Sequence, residues 1–384
     1  MSNNTKWTTM WANAMSIADH EPAMYAKDIT LRYPIFCPFD TTSLKFTFDN
    51  FTGTEPITIS AAFCAKTTDE RSIDTSSITP ITFNGKTSIT IDADDQITSD
   101  ATNFDVNSGD TISVSFYLKD FTLLRSGVVI TGPLTKGFFS VGNQCKVETL
   151  PLDYTRHTDW IYFLSNVSAL TSNDCHTLVC YGDSITSQAW PDYLAIRANK
   201  LGYKNTAIVR KAASGTRILR QYDCITYESY GLKGKVRFPH EFPVEGATAI
   251  LIQHGINDII HPVGTDVNPF RPMSDLPTAT ELIDGLKWYI EEAKKQNLKV
   301  YLGTLLPIYG WRTYAPFRED LKNEVNAWIR TTNDADGFVD FDKAVQDPNH
   351  IEAFAPGFDS GDHLHPSFPA YEAMSNAVPE SFLK

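Results

Sequence analysis

Up to about residue 160, apolar and polar positions alternate one by one. Leu44, Phe46 and Phe48 are spaced by Lys45 and Thr47; Ile89 and Ile91 flank Thr90; Ile112, Val114, Phe116 and Leu118 are spaced by Ser113, Ser115 and Tyr117. A period of two sends successive side chains to opposite faces, the mark of a half-buried strand. Asn84-Gly85, between ITF and KTSITI, predicts a type I′ hairpin turn. Thr and Ser are frequent, as suits the outer faces of strands. No amphipathic helix is read in residues 40–150. Several short strands separated by turn signals predict an all-β domain of sandwich or jelly-roll type.

Near residue 175 the pattern changes to strand, loop and helix in repetition. Strands are expected at Thr177–Tyr181, Thr206–Val209, Ala249–Gln253, Lys299–Leu305 and Phe338–Phe341. Helices are expected at Trp190–Leu201, Glu281–Gln296, Phe317–Thr331 and Pro369–Val378. In the second of these Leu282, Leu286, Tyr289, Ile290 and Ala293 fall on one face. Such alternation implies a parallel sheet covered by helices on both faces. Ligands of these sheets bind beyond the carboxyl ends of the strands, so any chemistry should follow each apolar run. The expected organisation is therefore two domains, an all-β domain over residues 1–170 and an α/β domain over 171–384, in keeping with about 100–200 residues per domain.

Composition narrows the function. The net charge is −13. Residues 1–174 carry 12 Lys and Arg against 20 Asp and Glu, and the remainder 21 against 26. Neither part is basic, which argues against a nucleic-acid partner held by phosphates and against a polybasic hold on membranes. No stretch nears the ~18 uninterrupted apolar residues of a membrane span. The opening MSNNTKWTTMWANAMSIADHEP has no apolar core of a signal peptide. A cytoplasmic protein is expected if this is the native start, and a secreted one if a signal has been removed. Cys37, Cys64, Cys145, Cys175, Cys180 and Cys224 form no CxxC pair or metal-like cluster and read as reduced thiols. No dinucleotide fingerprint is present either, and no cofactor is expected.

Four short motifs follow the expected strands. Gly182-Asp183-Ser184-Ile185 follows the first, Ser214-Gly215 the second, and Gly255-Ile256-Asn257-Asp258 the third; Asp362-His363-Leu364-His365 precedes the last helix. Each alone is common, since Ser-Gly occurs in turns and Asn-Asp caps helices. In this order and at strand ends, the set resembles the SGNH, or GDSL, hydrolase superfamily. WPDYLA, LKVYLGTLLP, VNAWIR, FVDFDKAVQDP and DSGDHLHP are similar to a bacterial branch of esterases acting on acetylated xylan and related glycans, which also carries a β-rich region ahead of its catalytic domain. The resemblance implies a flavodoxin-like three-layer α/β/α domain with a five-stranded parallel sheet.

It also implies roles. A serine hydroxyl needs a base to become nucleophilic. Ser184 would be the nucleophile, His365 the base and Asp362 the group that orients the imidazole. His363 competes with His365, but D-x-x-H followed by Pro366 favours His365. In the family the oxyanion donors are the backbone N–H groups of the serine and of the second-block glycine, and the asparagine amide. These map onto Ser184, Gly215 and Asn257. Asp183 and Asp258 read as structural groups of their turns. His254, Tyr309, Trp311 and Tyr314 are candidate substrate contacts, with a satisfied strand-end polar group as the alternative for His254 and core packing as the alternative for the aromatics. Trp190 reads mainly as packing at its helix start.

The expected activity is hydrolysis of small acyl esters, chiefly acetyl, on a carbohydrate such as an acetylated oligosaccharide. The rivals are a lipid or thioester acyl hydrolase, an acyltransferase, and a catalytically silent carbohydrate-binding protein. The short loop from Thr186-Ser187-Gln188 into Ala189-Trp190 argues against a long acyl groove. Whether the chain forms a homo-oligomer is left open by the sequence.

Overall fold

The computed structural model describes residues 5–18, 24–151, 156–224 and 226–384, with only the backbone of 156 and 157. The opening segment considered for a signal peptide therefore lies partly outside the described residues. Two compact units are present. One comprises Met1–Thr177 with Ala198–Val209 and Val244–Gly246; the other comprises Leu178–Arg197, Arg210–Pro243 and Ala247–Lys384.

The first unit is built of antiparallel strands. Thr41–Asp49 pairs with Leu164–Ser172, Gln96–Thr98 and Thr102–Val106. In a second sheet Thr111–Leu118 lies between Ile29–Phe36 and Ala61–Asp69. Phe48 of the first sheet meets Phe116 of the second edge to face, with centroids 5.3 Å apart. Leu44, Phe46, Ile112, Val114 and Leu118 are buried with them.

The alternation in Thr111–Leu118 departs from a half-solvated strand, because Ser113 and Ser115 are buried too. The Ser113 hydroxyl pairs with Thr67 Oγ1 at 2.9 Å, and at Ser115 the cause is Arg32, itself buried. Its Nε donates to Ser115 Oγ at 2.9 Å, and its guanidinium reaches the carbonyls of Arg71 (2.8 Å), Glu148 (3.2 Å) and Val147 (2.8 Å). A loop thus covers what the pattern marks as a polar face. The Asn84-Gly85 turn forms, with φ of 50° and 75°, and Phe83 and Lys86 exchange backbone hydrogen bonds across it. Yet Ile89–Ile91 pairs with Ile57–Ile59 instead of extending that hairpin. Among the described residues of 40–150 the only helical turn is the 3₁₀ segment Thr75–Ser77.

The chain also carries a five-stranded parallel sheet, with β1 His176–Gly182, β2 Thr206–Ala212, β3 Ala247–Gln253, β4 Lys299–Gly303 and β5 Gly337–Val339. The strand order is 2-1-3-4-5, the flavodoxin-like arrangement. β1 is buried along its whole length, as expected of a strand covered on both faces.

The helices are α1 Ser184–Ser187, α2 Trp190–Lys200, α3 Gly234–Glu241, α4 Ile256–Ile260, α5 Ala279–Lys295, α6 Pro316–Thr331, α7 Phe341–Val345 and α8 Phe368–Ala377. Helix α5 starts where Thr278 and Glu281 close a capping box. Helix α6 packs on both α4 and α5, and α7 packs on α8. Trp190 of α2 is fully buried against Phe341 of α7, at 5.1 Å, which makes it the packing residue its helix-start position predicts. Helix α3 was not expected, because Pro239 interrupts it. The hairpin of Gln346–Asp347 with His350–Phe354 was also unexpected.

Candidate active site

The first block turns sharply out of β1. A Cβ at Gly182 would lie 2.2 Å from the Gln253 carbonyl and 2.6 Å from Thr186 Oγ1, so only glycine lets β1 approach β3 this closely. Asp183 caps α1, its Oδ1 accepting from Ile185 N at 3.1 Å. Ser184 opens the helix and is 9% exposed. The other Asp183 oxygen has no hydrogen-bond partner among the described residues. Burial pushes this carboxyl up to about 7, against the pull of the Ile185 N–H and of nearby His365 and Arg237.

Asp362 and His365 share one turn. Asp362 Oδ1 accepts from Leu364 N (3.0 Å), His365 N (2.8 Å) and Ser360 Oγ (3.2 Å). Its Oδ2 lies 2.6 Å from His365 Nδ1, and His365 Nε2 lies 2.8 Å from Ser184 Oγ. An ionised carboxylate only accepts, so Nδ1 carries the ring proton in the neutral imidazole and Nε2 is left to accept from serine. Partial burial acts to raise the Asp362 carboxyl. The ring and backbone donors of His365 outweigh it and hold the group well below the usual carboxylate range. His363 has φ +64°, is half-exposed, and pairs through Nδ1 with Asp359 Oδ2 at 2.5 Å. Of the two histidines, His365 is the one at Ser184.

The second and third blocks are tied to each other. Gly215 has φ +77°, and a Cβ there would lie 2.2 Å from Tyr230 Cδ1. Asn257, on α4 and 3% exposed, donates one amide hydrogen to the Thr216 carbonyl at 3.0 Å, leaving its second for another acceptor. Asp258 accepts from Ile218 N (2.8 Å) and Leu219 N (3.0 Å). Burial raises this carboxyl to about 6 while those two N–H groups pull it down. Both residues of the Asn-Asp pair therefore shape the loop that presents Gly215.

The structure corrects the assignment of His254 as a substrate contact. The ring is 1% exposed. Its Nδ1 lies 3.1 Å from Tyr289 Oη, and its Nε2 lies 3.1 Å from the Thr216 carbonyl and 3.2 Å from Thr216 Oγ1. Burial, helped by the Arg237 charge, lowers its pKa to about 3 and keeps it neutral. It supports the second-block loop from beneath.

Arg237 of α3 escaped the sequence reading, and it holds two blocks in register. Its Nη1 donates to Thr216 Oγ1 (2.8 Å) and the Gly182 carbonyl (3.3 Å), and its Nη2 donates to the Lys211 carbonyl (3.2 Å). Glu241, one turn later, takes Nε and Nη2 at 3.1 and 3.2 Å. The only sequence signal was an Arg and a Glu four apart. Both side chains are fully buried. Arg237→Met should therefore destabilise the protein by about 3–5 kcal/mol, because Glu241 is left charged and unpaired. Adding Glu241→Leu should recover much of that loss. Urea midpoints of the single and double variants test this; a single variant within 1 kcal/mol of wild type would mean the pair is not a fixed element.

The three aromatic candidates lie in the loop after β4. Tyr309 is 44% exposed and packs edge to face on His350 (4.2 Å) and Tyr314 (5.1 Å). Tyr314 Oη donates to Glu352 Oε2 at 3.2 Å, which anchors it on the hairpin. Trp311 is half-buried beneath the Arg312 guanidinium, 4.6 Å from the ring. Gly310 lies against the His363 ring, so this loop borders the histidine turn. Among the described residues no group of three or more His, Cys, Asp or Glu side chains is arranged to hold a metal ion.

The GDSL-like lipase/acylhydrolase family model matches residues 180–373. Solved structures similar to the chain include the following two. One is a GDSL-like lipase from Bacteroides thetaiotaomicron, 17% identical, covering 54% of this chain and 87% of that one with a TM-score of 0.36. The other is the acetylxylan esterase Axe2 from Geobacillus stearothermophilus, 17% identical, covering 54% and 94% with a TM-score of 0.40. No curated protein matches the sequence.

Proposed function

The chain belongs to the GDSL-like lipase/acylhydrolase family, and from that premise we propose that it is a serine esterase removing small acyl groups, chiefly acetyl, from carbohydrate hydroxyls. The observation that carries the reading is the unbroken chain from Ser184 Oγ through His365 (2.8 Å) to Asp362 (2.6 Å).

In the proposed mechanism His365 Nε2 takes the Ser184 proton as Oγ attacks the ester carbonyl. Asp362 holds the ring tautomer and stabilises the imidazolium. The oxyanion is met by the Ser184 and Gly215 N–H groups and by the Asn257 amide hydrogen not used on Thr216. His365 then protonates the departing sugar oxygen, leaving Ser184 acylated. Water, deprotonated by the same nitrogen, releases the acid and restores the serine.

The acyl preference is tested with esters of one alcohol running from acetyl to octanoyl, followed by position-resolved products from acetylated oligosaccharides. The expected result is a kcat/KM that falls as the acyl chain lengthens. A kcat/KM that rises with length would favour the lipid or thioester reading and remove the acetylesterase one.

A further inference from the structure

Resting on the carbohydrate-esterase reading, we propose that Tyr227, Tyr230 and Phe270 form a stacking platform for the sugar ring that carries the ester, starting at Gly215. The Tyr230 ring fills the space where Gly215 would carry a side chain, 2.2 Å from that Cβ position. The innermost ring of the cluster therefore touches the proposed oxyanion donor. Tyr227 lies nearly parallel to Tyr230, with centroids 5.6 Å apart and 11° between planes. Phe270 continues the row 6.1 Å from Tyr227.

The row is graded in exposure. Tyr222 and His261 are buried, and they brace Tyr230 at 5.6 and 5.0 Å. The Arg217 guanidinium covers the Tyr222 ring at 4.4 Å. Tyr227 and Tyr230 are half-buried, and Phe270 is 45% exposed. A buried back packed behind an open aromatic front supports the rings in place, and such support lowers the entropic cost of binding.

The surroundings select a hydroxyl-rich ring over an acyl chain. A pyranose offers apolar C–H faces and a polar rim. Aromatic rings suit the faces. Asp275, held by the buried Arg217 at 3.3 Å, pairs at 3.5 Å with the half-exposed Arg220, and this accessible pair suits the rim. Packing an alkyl chain there would strip water from those charges without return.

The test compares acetylated xylo-oligosaccharide with p-nitrophenyl acetate, which has no sugar, in wild type and in Tyr227→Ala, Tyr230→Ala and Phe270→Ala. The ratio of the two kcat/KM values should fall about tenfold in each variant, mostly through KM on the oligosaccharide. Tyr230→Phe keeps the ring and should keep most of the ratio, which separates stacking from simple disruption of the Gly215 loop. Ratios within twofold of wild type in all three alanine variants would overturn the platform. If wild type cleaves p-nitrophenyl acetate but no acetylated sugar, the carbohydrate part of the esterase reading fails on its own. The platform is then judged by calorimetry of unacetylated xylo-oligosaccharide with Ser184→Ala: binding that Phe270→Ala weakens supports it, and no binding overturns it.

Discussion

Ser184→Ala is expected to lower kcat by about 10⁵–10⁶-fold, the range seen when a serine nucleophile is removed from an otherwise intact site. The fold should survive the change. Ser184 contributes one side-chain hydrogen bond, to His365, and a net loss of about 1 kcal/mol follows from its removal. Covalent labelling gives the sharper reading. A fluorophosphonate should phosphonylate the wild-type enzyme at Ser184 and leave the variant unlabelled. A variant that still labels would move the nucleophile to another residue, and a wild type that fails to label would return the silent-binder reading. Residual turnover in the variant should persist above the uncatalysed rate, because Gly215 and Asn257 remain in place to meet an oxyanion.

The second large effect is expected at Asp362, where Asn should lower kcat by about 10⁴-fold with little change in KM. The local geometry explains the direction. Oδ1 of Asp362 already accepts from two backbone N–H groups and the Ser360 hydroxyl. An asparagine must keep its oxygen there, since an NH₂ group would face those donors. Its NH₂ is then forced to the Oδ2 position, 2.6 Å from His365 Nδ1. Nδ1 becomes an acceptor, the ring proton moves to Nε2, and Nε2 can no longer take the proton of Ser184. The two variants differ in one observable. Asp362→Asn retains its nucleophile, so it should still label with fluorophosphonate, slowly, whereas Ser184→Ala should not label at all. Near-normal turnover in Asp362→Asn would mean that Ser184 and His365 act as a dyad.

Most of the α/β architecture was legible because a covered parallel strand announces itself as a short apolar run. The expected Ala249–Gln253 is found within Ala247–Gln253, and the expected Phe317–Thr331 within Pro316–Thr331. The Asp362–His365 turn was legible for a related reason, since a carboxylate three residues before a histidine can hold both its backbone and its ring. The short helices were not legible. Helix α3 has eight residues and an internal proline, too little periodic signal to stand out. Ser113 and Ser115 were assigned to a solvated face because alternation reports which side a residue faces, not what lies on that side.

The sequence by itself determined the alternation of the parallel-sheet strands with the longer helices and the spacing of the four short motifs, while the preference for His365 over His363 came with the family resemblance. The alternation and the motifs are local properties, set by side-chain period and by spacings of a few residues. The tertiary structure alone decided that His254 lies beneath Thr216, that Arg237 links Gly182, Lys211 and Thr216, and that Tyr230 rests on Gly215. Each of those contacts joins residues 15 or more positions apart, brought together because parallel strands deliver their following loops to one edge of the sheet. The partner of a buried polar group depends on which loop arrives beside it, and no local pattern of hydrophobic and polar residues carries that information.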